Sequence, residues 1–305
     1  MSGPPSAPNL RVGCAMWAHK AWVGRYFPAT TKSGEELASY ATWCPAVEGN
    51  TTFYASPTTA TIARWAELAP EDFRFCFKLP RDITHDRKLR NSNDLVRAFL
   101  ALLEPLADRL GPLQIQLPAS FGPEDLGSFE NFLISLPSDF AFATEVRHPA
   151  FFAGGLAEAP FDAILERQGV DRVILDSRAL FATPPVTPEE HDAWRNKPRL
   201  PVRPHATASQ PIVRLIGERN IERSLIVWRS WVPKLAGWLA EGRQPFVFTH
   251  TPDNVVAPEL ARRFWSEVCA TVDDLAPLPV PERVTTQLDL WAADDPTDDH
   301  EPKPG

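Results

Sequence analysis

The chain has 305 residues, 44% hydrophobic and 23% charged, a balance that supplies a large apolar core and excludes disorder of the whole chain. The net charge is -8, but nine acidic residues against two basic ones follow Ala270, so the rest is nearly neutral. A near-neutral body provides neither a broad nucleic-acid footprint nor a basic membrane face, and no apolar run approaches the roughly 20 residues that span a bilayer.

Residues 1–9 are expected to form a flexible N-terminus. Short apolar runs rich in strand formers follow at 10–14, 46–49, 73–78, 113–117, 140–145, 172–175, 212–215 and 246–249. Each is followed by a turn and most by an amphipathic helix. Ser33-Gly34-Glu35-Glu36 predicts a capping box, and Thr58 an N-cap for a run carrying Ile62, Trp65 and Ala66. Ser92 or Asn93 opens a run through Leu95, Phe99, Leu102, Leu103 and Leu106 that ends at Gly111, a residue free to take the left-handed conformation. Ile226, Trp231, Leu235, Trp238 and Leu239 predict a seventh helix before Gly242, and Leu260, Phe264, Trp265 and Val268 the last.

Eight strand-then-helix units in series predict parallel strands closed into a TIM-type (β/α)8 barrel, one domain over residues 10–275. A doubly wound open sheet competes, but neither G-x-G-x-x-G nor G-x-x-x-x-G-K occurs. A proline-rich insertion at about 180–210, with room for a helix near 189–195, follows the sixth strand and is expected over the top face. Residues 276–305 form an acidic, proline-rich tail. Cys14, Cys44, Cys76 and Cys269 show no C-x-x-C pairing, which suits free thiols in a cytoplasmic protein. Cys14 and Cys76 read as buried hydrophobes within strands. Trp17 and Trp22, near His19 and Lys20, either wall a pocket or cap the barrel.

A barrel of this kind builds its site from strand C-terminal ends, and here those ends are polar. Side chains two apart share a face of a strand, so Glu48 pairs with Asn50, Gln114 with Gln116, and Glu145 with Arg147, while Lys78 points inward opposite a Phe73, Phe75, Phe77 row. Asp176 and Arg214 end the sixth and seventh strands, and Thr249-His250-Thr251-Pro252-Asp253-Asn254 the eighth. Buried charges at this density call for partners. They form either a site or a salt-bridged plug that closes the barrel.

In order along the chain, Val47-Glu48-x-Asn50-x-Thr52-Phe53-Tyr54, Phe77-Lys78-x-Pro80-Arg81 with Thr84-His85, Gln116-Leu117-Pro118, Glu145-x-Arg147-His148 and Asp176-Ser177 resemble the motifs of domain-of-unknown-function family 72, the YecE-like proteins. The resemblance spans about 12–264 and implies a β/α barrel with a loose likeness to sugar isomerases. Two departures stand out: Ala150-Phe151 replaces the family's usual Ser-Trp pair, and the paired asparagines after the eighth strand become the Thr249-to-Asn254 run.

The leading expectation is a small-molecule enzyme performing acid/base or hydrolytic chemistry on a polar, sugar-like or anionic substrate. Glu48, Glu145 and Asp176 are the candidate catalytic carboxylates, and Asn50, Tyr54, Lys78, His85, Gln116, Arg147, His148, Arg214, His250 and Asn254 the candidate binding residues. No cofactor is expected. The alternatives are a divalent-metal site using Glu48, Glu145, Asp176 and His250, which lacks a close His-x-His or H-E-x-x-H pair, or a barrel that binds a ligand or nucleic acid without turnover.

Overall fold

The computed structural model describes residues 10–279 apart from Ala153 and Asp274. Its strands are β1 Arg11–Cys14, β2 Ala46–Gly49, β3 Arg74–Phe77, β4 Leu113–Gln116, β5 Phe142–Glu145, β6 Asp171–Asp176, β7 Ile212–Ile216 and β8 Phe246–His250. Each coincides with a run expected to form one. All ladder pairs are parallel, in the lateral order β3, β2, β1, β8, β7, β6, β5, β4. The two edges meet through single bridges, Phe75 with Leu110 and Lys78 with Gln114. Hydrogen bonds from Gly111 N to Phe75 O and from Leu79 N to Gln114 O, both 2.9 Å, complete the seam. The sheet is thus an eight-stranded parallel barrel wrapped by helices.

The helices are α1 Glu36–Ala41, α2 Thr51–Tyr54, α3 Thr59–Leu68, α4 Asn93–Leu103, α5 Leu126–Ile134, α6 Glu158–Gln168, α7 Pro188–Asn196, α8 Ile221–Trp228, α9 Trp231–Ala240 and α10 Ala257–Cys269. Thr58 caps α3 by accepting from Thr61 N at 3.1 Å. The capping box at Ser33 does not form: the Glu36 carboxylate accepts from Gly34 N at 2.6 Å, and α1 starts without a side-chain cap. Gly111 is not a left-handed helix end, because α4 tightens into a 3-10 turn over Glu104–Arg109 before the chain enters β4. The single seventh helix is two, α8 and α9, since Pro233 has no N–H to carry one helix across. Ile226 consequently faces solvent.

Alternation along the strands sorts the core into two layers. Ala46, Cys76, Ala143, Val173, Ile212, Phe246 and Phe248 fill the lower barrel interior. On the outer side, Phe75 stacks on Phe77 at 5.2 Å and Trp65 on Phe77 at 5.5 Å, joining α3 to the sheet. Each such aromatic contributes roughly 1.5–3 kcal/mol on burial.

The long connection from β6 to β7 is tied down at both ends. Trp194 Nε1 donates to Leu180 O at 2.9 Å, and Ser177 Oγ to Pro198 O at 2.8 Å. Farther on, Thr207 Oγ1 donates to Val170 O at 2.7 Å, and Asp171 accepts from the backbone N–H of Ala208 and Gln210. Past α10, Leu275 is buried and Ala276 O accepts from Trp265 Nε1 at 2.9 Å, so the chain at 275–276 packs against α10. The expectations for residues 1–9 and 280–305 lie outside the described residues. Among the described residues no helix is long and apolar enough to cross a membrane.

Gly13 in β1 and Gly237 in α9 make opposite demands. A Cβ on Gly13 would collide with the Ala46 carbonyl oxygen, whereas one on Gly237 would meet open space. Gly13→Ala is expected to lower the unfolding free energy by at least about 2 kcal/mol. Gly237→Ala should raise it by about 1 kcal/mol through helix propensity. Urea denaturation of the two variants checks both.

Candidate active site at the barrel mouth

Above the apolar layer the barrel interior turns ionic. Arg214, inward on β7, reaches across the lumen: its Nε donates to Glu48 Oε1 at 2.6 Å, its Nη2 to Glu48 Oε2 at 3.2 Å, and its Nη1 to Glu145 Oε2 at 2.6 Å. Arg147 Nε holds the other Glu145 oxygen at 2.7 Å. Glu48 also accepts from Gln114 Nε2 and Asn50 Nδ2, each at 3.1 Å. Glu48 with Asn50 and Glu145 with Arg147 are thus bonded partners on one face, while Gln114 and Gln116 bond Glu48 and Lys78 in place of each other.

Burial alone would push both carboxyls up. Arg214 beside them, aided by Lys78, His250 and Arg147, instead holds them well below the usual carboxylate range. The guanidinium is correspondingly raised, its burial outweighed by the two carboxylates. His250 Nε2 stands 3.1 Å from Glu48 Oε2, off the line of a hydrogen bond, and burial lowers its pKa to about 4 despite that neighbour.

Lys78, at the end of β3, is placed differently. Its backbone is fixed by Thr52 Oγ1, which donates to Lys78 O at 2.7 Å, and its Nζ donates to Gln116 Oε1 at 2.7 Å. Among the described residues it has no carboxylate within ion-pair distance. Burial, then Arg214, brings its pKa down to about 7.

A cavity of about 510 Å³ opens above this layer. Its lining includes Asn50, Tyr54, Lys78, Gln116, Arg147, Arg214, His250 and Asn254, eight of the expected site residues. Glu48 and Glu145 lie beneath, consumed by the arginines. The lining also includes Asp192, Asn196 and Lys197, contributed by α7 and the residue after it. Lys197 was not anticipated. It lies at the rim, and burial followed by Arg214 lowers its pKa to about 8. Four basic side chains, Lys78, Arg147, Lys197 and Arg214, thus line the cavity, and among the described residues Asp192 is the one acidic residue of its lining.

Three expected residues fall elsewhere. Asp176 faces the helix layer, because Val173 and Leu175 take the inward positions of β6; it accepts from Trp231 Nε1 at 2.8 Å and from Arg178 Nη2 at 2.7 Å. His148, one residue past inward Arg147, caps the 3-10 turn Pro149–Phe151 through Nδ1. His85 packs edge-on behind Phe53, with Thr84 Oγ1 2.9 Å from its Nδ1, and burial lowers its pKa to about 4. Trp22 is buried against Tyr40 and donates to Asn254 O at 3.0 Å, while Trp17 packs edge-on to Trp65 and Phe75 in the outer helix layer, so neither walls the cavity. The divalent-metal set does not assemble: Asp176 faces away and the Arg214 guanidinium occupies the space between the two glutamates. Among the described residues no group of three His, Cys, Asp or Glu side chains could hold a metal ion.

An eight-stranded parallel barrel whose mouth carries a buried ion network beneath a cationic cavity defines the class of protein. Residues 11–283 match the family described as "Protein of unknown function DUF72", and the chain belongs to that family. It is 40% identical over 270 residues to the UPF0759 protein YecE of Escherichia coli strain K12, covering 88% of this chain and 96% of that one, and equally so to the protein of the same name in strain O157:H7. Among solved structures, a DUF72 family protein from Thermotoga maritima superposes with a TM-score of 0.65 at 20% identity, covering 84% of this chain and 98% of that one. Another, from Enterococcus faecalis, gives 0.63 at 17% identity, covering 88% and 99%.

Two measurements follow from the network. Glu145→Gln leaves both Arg214 and Arg147 short of counter-charge and is expected to lower the unfolding free energy by about 3–5 kcal/mol. For His250, a folded-state pKa of about 4 against an ordinary 6.5 means that the unfolded chain binds more protons between those values, so stability is lost as pH falls through that window. His250→Gln removes that loss. Between pH 6.5 and 4 the variant should gain on the wild type by up to about 3 kcal/mol, read from paired urea titrations.

Proposed function

We propose that the barrel mouth is the active site of a small-molecule enzyme that moves protons on an anionic, hydroxylated substrate. The observation carrying this reading is Lys78: a buried amine with a pKa of about 7, opening into a cavity whose other charged groups are mostly cations. A group titrating near neutrality both takes and returns a proton at little cost, which is what general acid–base catalysis needs. Glu48 and Glu145, the carboxylates expected to do this work, are poor bases once Arg214 has lowered them, and they act as fixed counter-charges. Proton transfer therefore passes to Lys78.

The remaining roles follow from charge and reach. Arg147 and Lys197 are suited to an anionic group, by charge-assisted hydrogen bonds that Arg214, committed to its carboxylates, has less freedom to make. Asn50, Gln116, His250 and Asn254 offer donors and acceptors to hydroxyls around the wall. Tyr54, 81% exposed at the rim, offers a ring face to a sugar carbon skeleton. The cavity volume of about 510 Å³ suits a metabolite, not a nucleic-acid duplex.

Thermal denaturation with glucose 6-phosphate, glucose and inorganic phosphate tests the reading. The two phosphates are expected to raise the melting temperature and glucose to leave it unchanged, with Arg147→Ala and Lys197→Ala each weakening phosphate binding about tenfold, a loss of about 1.4 kcal/mol. Because an anion beside Lys197 raises it toward protonation, binding near pH 7.5 should take up protons, visible as a buffer-dependent enthalpy in calorimetry. Stabilisation by glucose as strong as by its phosphate, or none by any anion, would overturn the assignment.

A further inference from the structure

We propose that Lys78 is a nucleophile that forms an imine with an anionic carbonyl compound, an aldehyde or ketone carrying a phosphate or carboxylate group. The inference rests on the reading of the cavity as a substrate site and names the chemistry of that substrate.

The argument begins with hydrogen bonds. Glu48, Glu145, Arg147 and Arg214 are each paired with opposite charge, whereas Lys78 Nζ has one neutral acceptor, Gln116 Oε1 at 2.7 Å. An ammonium group has three N–H bonds to donate, and among the described residues Gln116 is the one acceptor that the protein supplies to it. A neutral amine donates one N–H to Gln116 and keeps a lone pair, the form that attacks carbonyl carbon. Burial favours this neutral form, and Arg214 and Arg147 act in the same direction. Thr52, by holding Lys78 O at 2.7 Å, fixes the root of the side chain at the cavity floor.

The step balances without an oxidant or reductant. The Nζ lone pair forms a C–N bond to the carbonyl carbon while the carbonyl π pair moves to oxygen, which takes up the proton leaving nitrogen. That hydroxyl then departs as water with a second proton, giving C=N; amine plus carbonyl becomes imine plus water. Protonation of the imine places a positive charge where the ionised Glu48 and Glu145, both of which favour charge at Lys78, stabilise it. The resulting electron sink acidifies a C–H bond, or loosens a C–C bond, next to the former carbonyl carbon. The substrate's anionic end is left for Arg147 and Lys197 at the wall and rim of the same cavity.

Borohydride trapping tests this on the full-length wild-type chain. The protein is incubated separately with dihydroxyacetone phosphate, pyruvate or acetone, reduced with sodium borohydride, and mapped by peptide mass spectrometry. The expected result is a secondary-amine adduct on the peptide containing Lys78 with at least one anionic carbonyl. It should be suppressed by excess inorganic phosphate, at least tenfold weaker with acetone, and absent from Lys78→Arg, whose folding is checked by circular dichroism. Labelling by dihydroxyacetone phosphate alone assigns a phosphate-bearing substrate, and by pyruvate alone a carboxylate-bearing one. Adducts confined to other lysines such as Lys32, Lys197 and Lys234 overturn the imine. If inorganic phosphate still stabilises the protein in that case, the anion site survives and only the nucleophile falls; if it does not, both fall. Equal labelling of Lys78 by acetone overturns the anionic class.

Discussion

The contact on which the mouth of this barrel depends is the Arg214 guanidinium, inserted between carboxylates from β2 and β5. Three strands that are not lateral neighbours are joined by one side chain, in a layer where other barrels pack branched aliphatics. Burying these charges is costly, and the arrangement holds because each carboxylate oxygen has a donor and the guanidinium's geometry suits two partners at once. Its second effect is on what lies above. Having absorbed both glutamates, Arg214 leaves Lys78 and Lys197 without an ion-paired carboxylate among the described residues, and the cavity acquires its basic character by this subtraction.

Several residues in the motifs brace the mouth of the barrel, and all but Asn50 do so from outside the cavity lining. Asn50 spans Ala15 O and Glu48, fixing the loop after β1 to the network. Thr52 anchors the Lys78 backbone, and Asp176 with Ser177 ties the end of β6 to α9 and to Pro198. Such residues read as chemistry in sequence because they are polar and adjacent to the site. Their work is to hold strand ends in place.

The strands were legible because apolar runs and turn residues mark them independently of tertiary context, and the inward set on β2, β3, β4 and β5 followed from two-residue alternation. Asp176 also ends its strand, but the same alternation turns it away, since Val173 in the lower core fixes position 176 as outward. His148 failed by the same single-residue offset from Arg147. Lys197 had no such handle. It follows α7 in the β6-to-β7 connection, and only the three-dimensional path of that connection brings it over the barrel. The helix break before α9 was visible in Pro233, but the apolar periodicity running through it hid the interruption.

The connection carrying α7 is fastened by Ser177 to Pro198, by Trp194 to Leu180 and, farther on, by Thr207 to Val170 and Ala208 to Asp171, while Asp192, Asn196 and Lys197 reach the cavity. It behaves as a cassette. Its rim-facing side chains can change sign or size without disturbing any donor or acceptor of the Arg214 contact, whose members all sit on or next to β2, β4, β5 and β7. Side chains that face the cavity and side chains that keep the barrel closed therefore occupy separate stretches of chain, and exchanging Asp192, Asn196 and Lys197 would alter the rim while sparing the Trp194 anchor and buried Ala193 of the same helix.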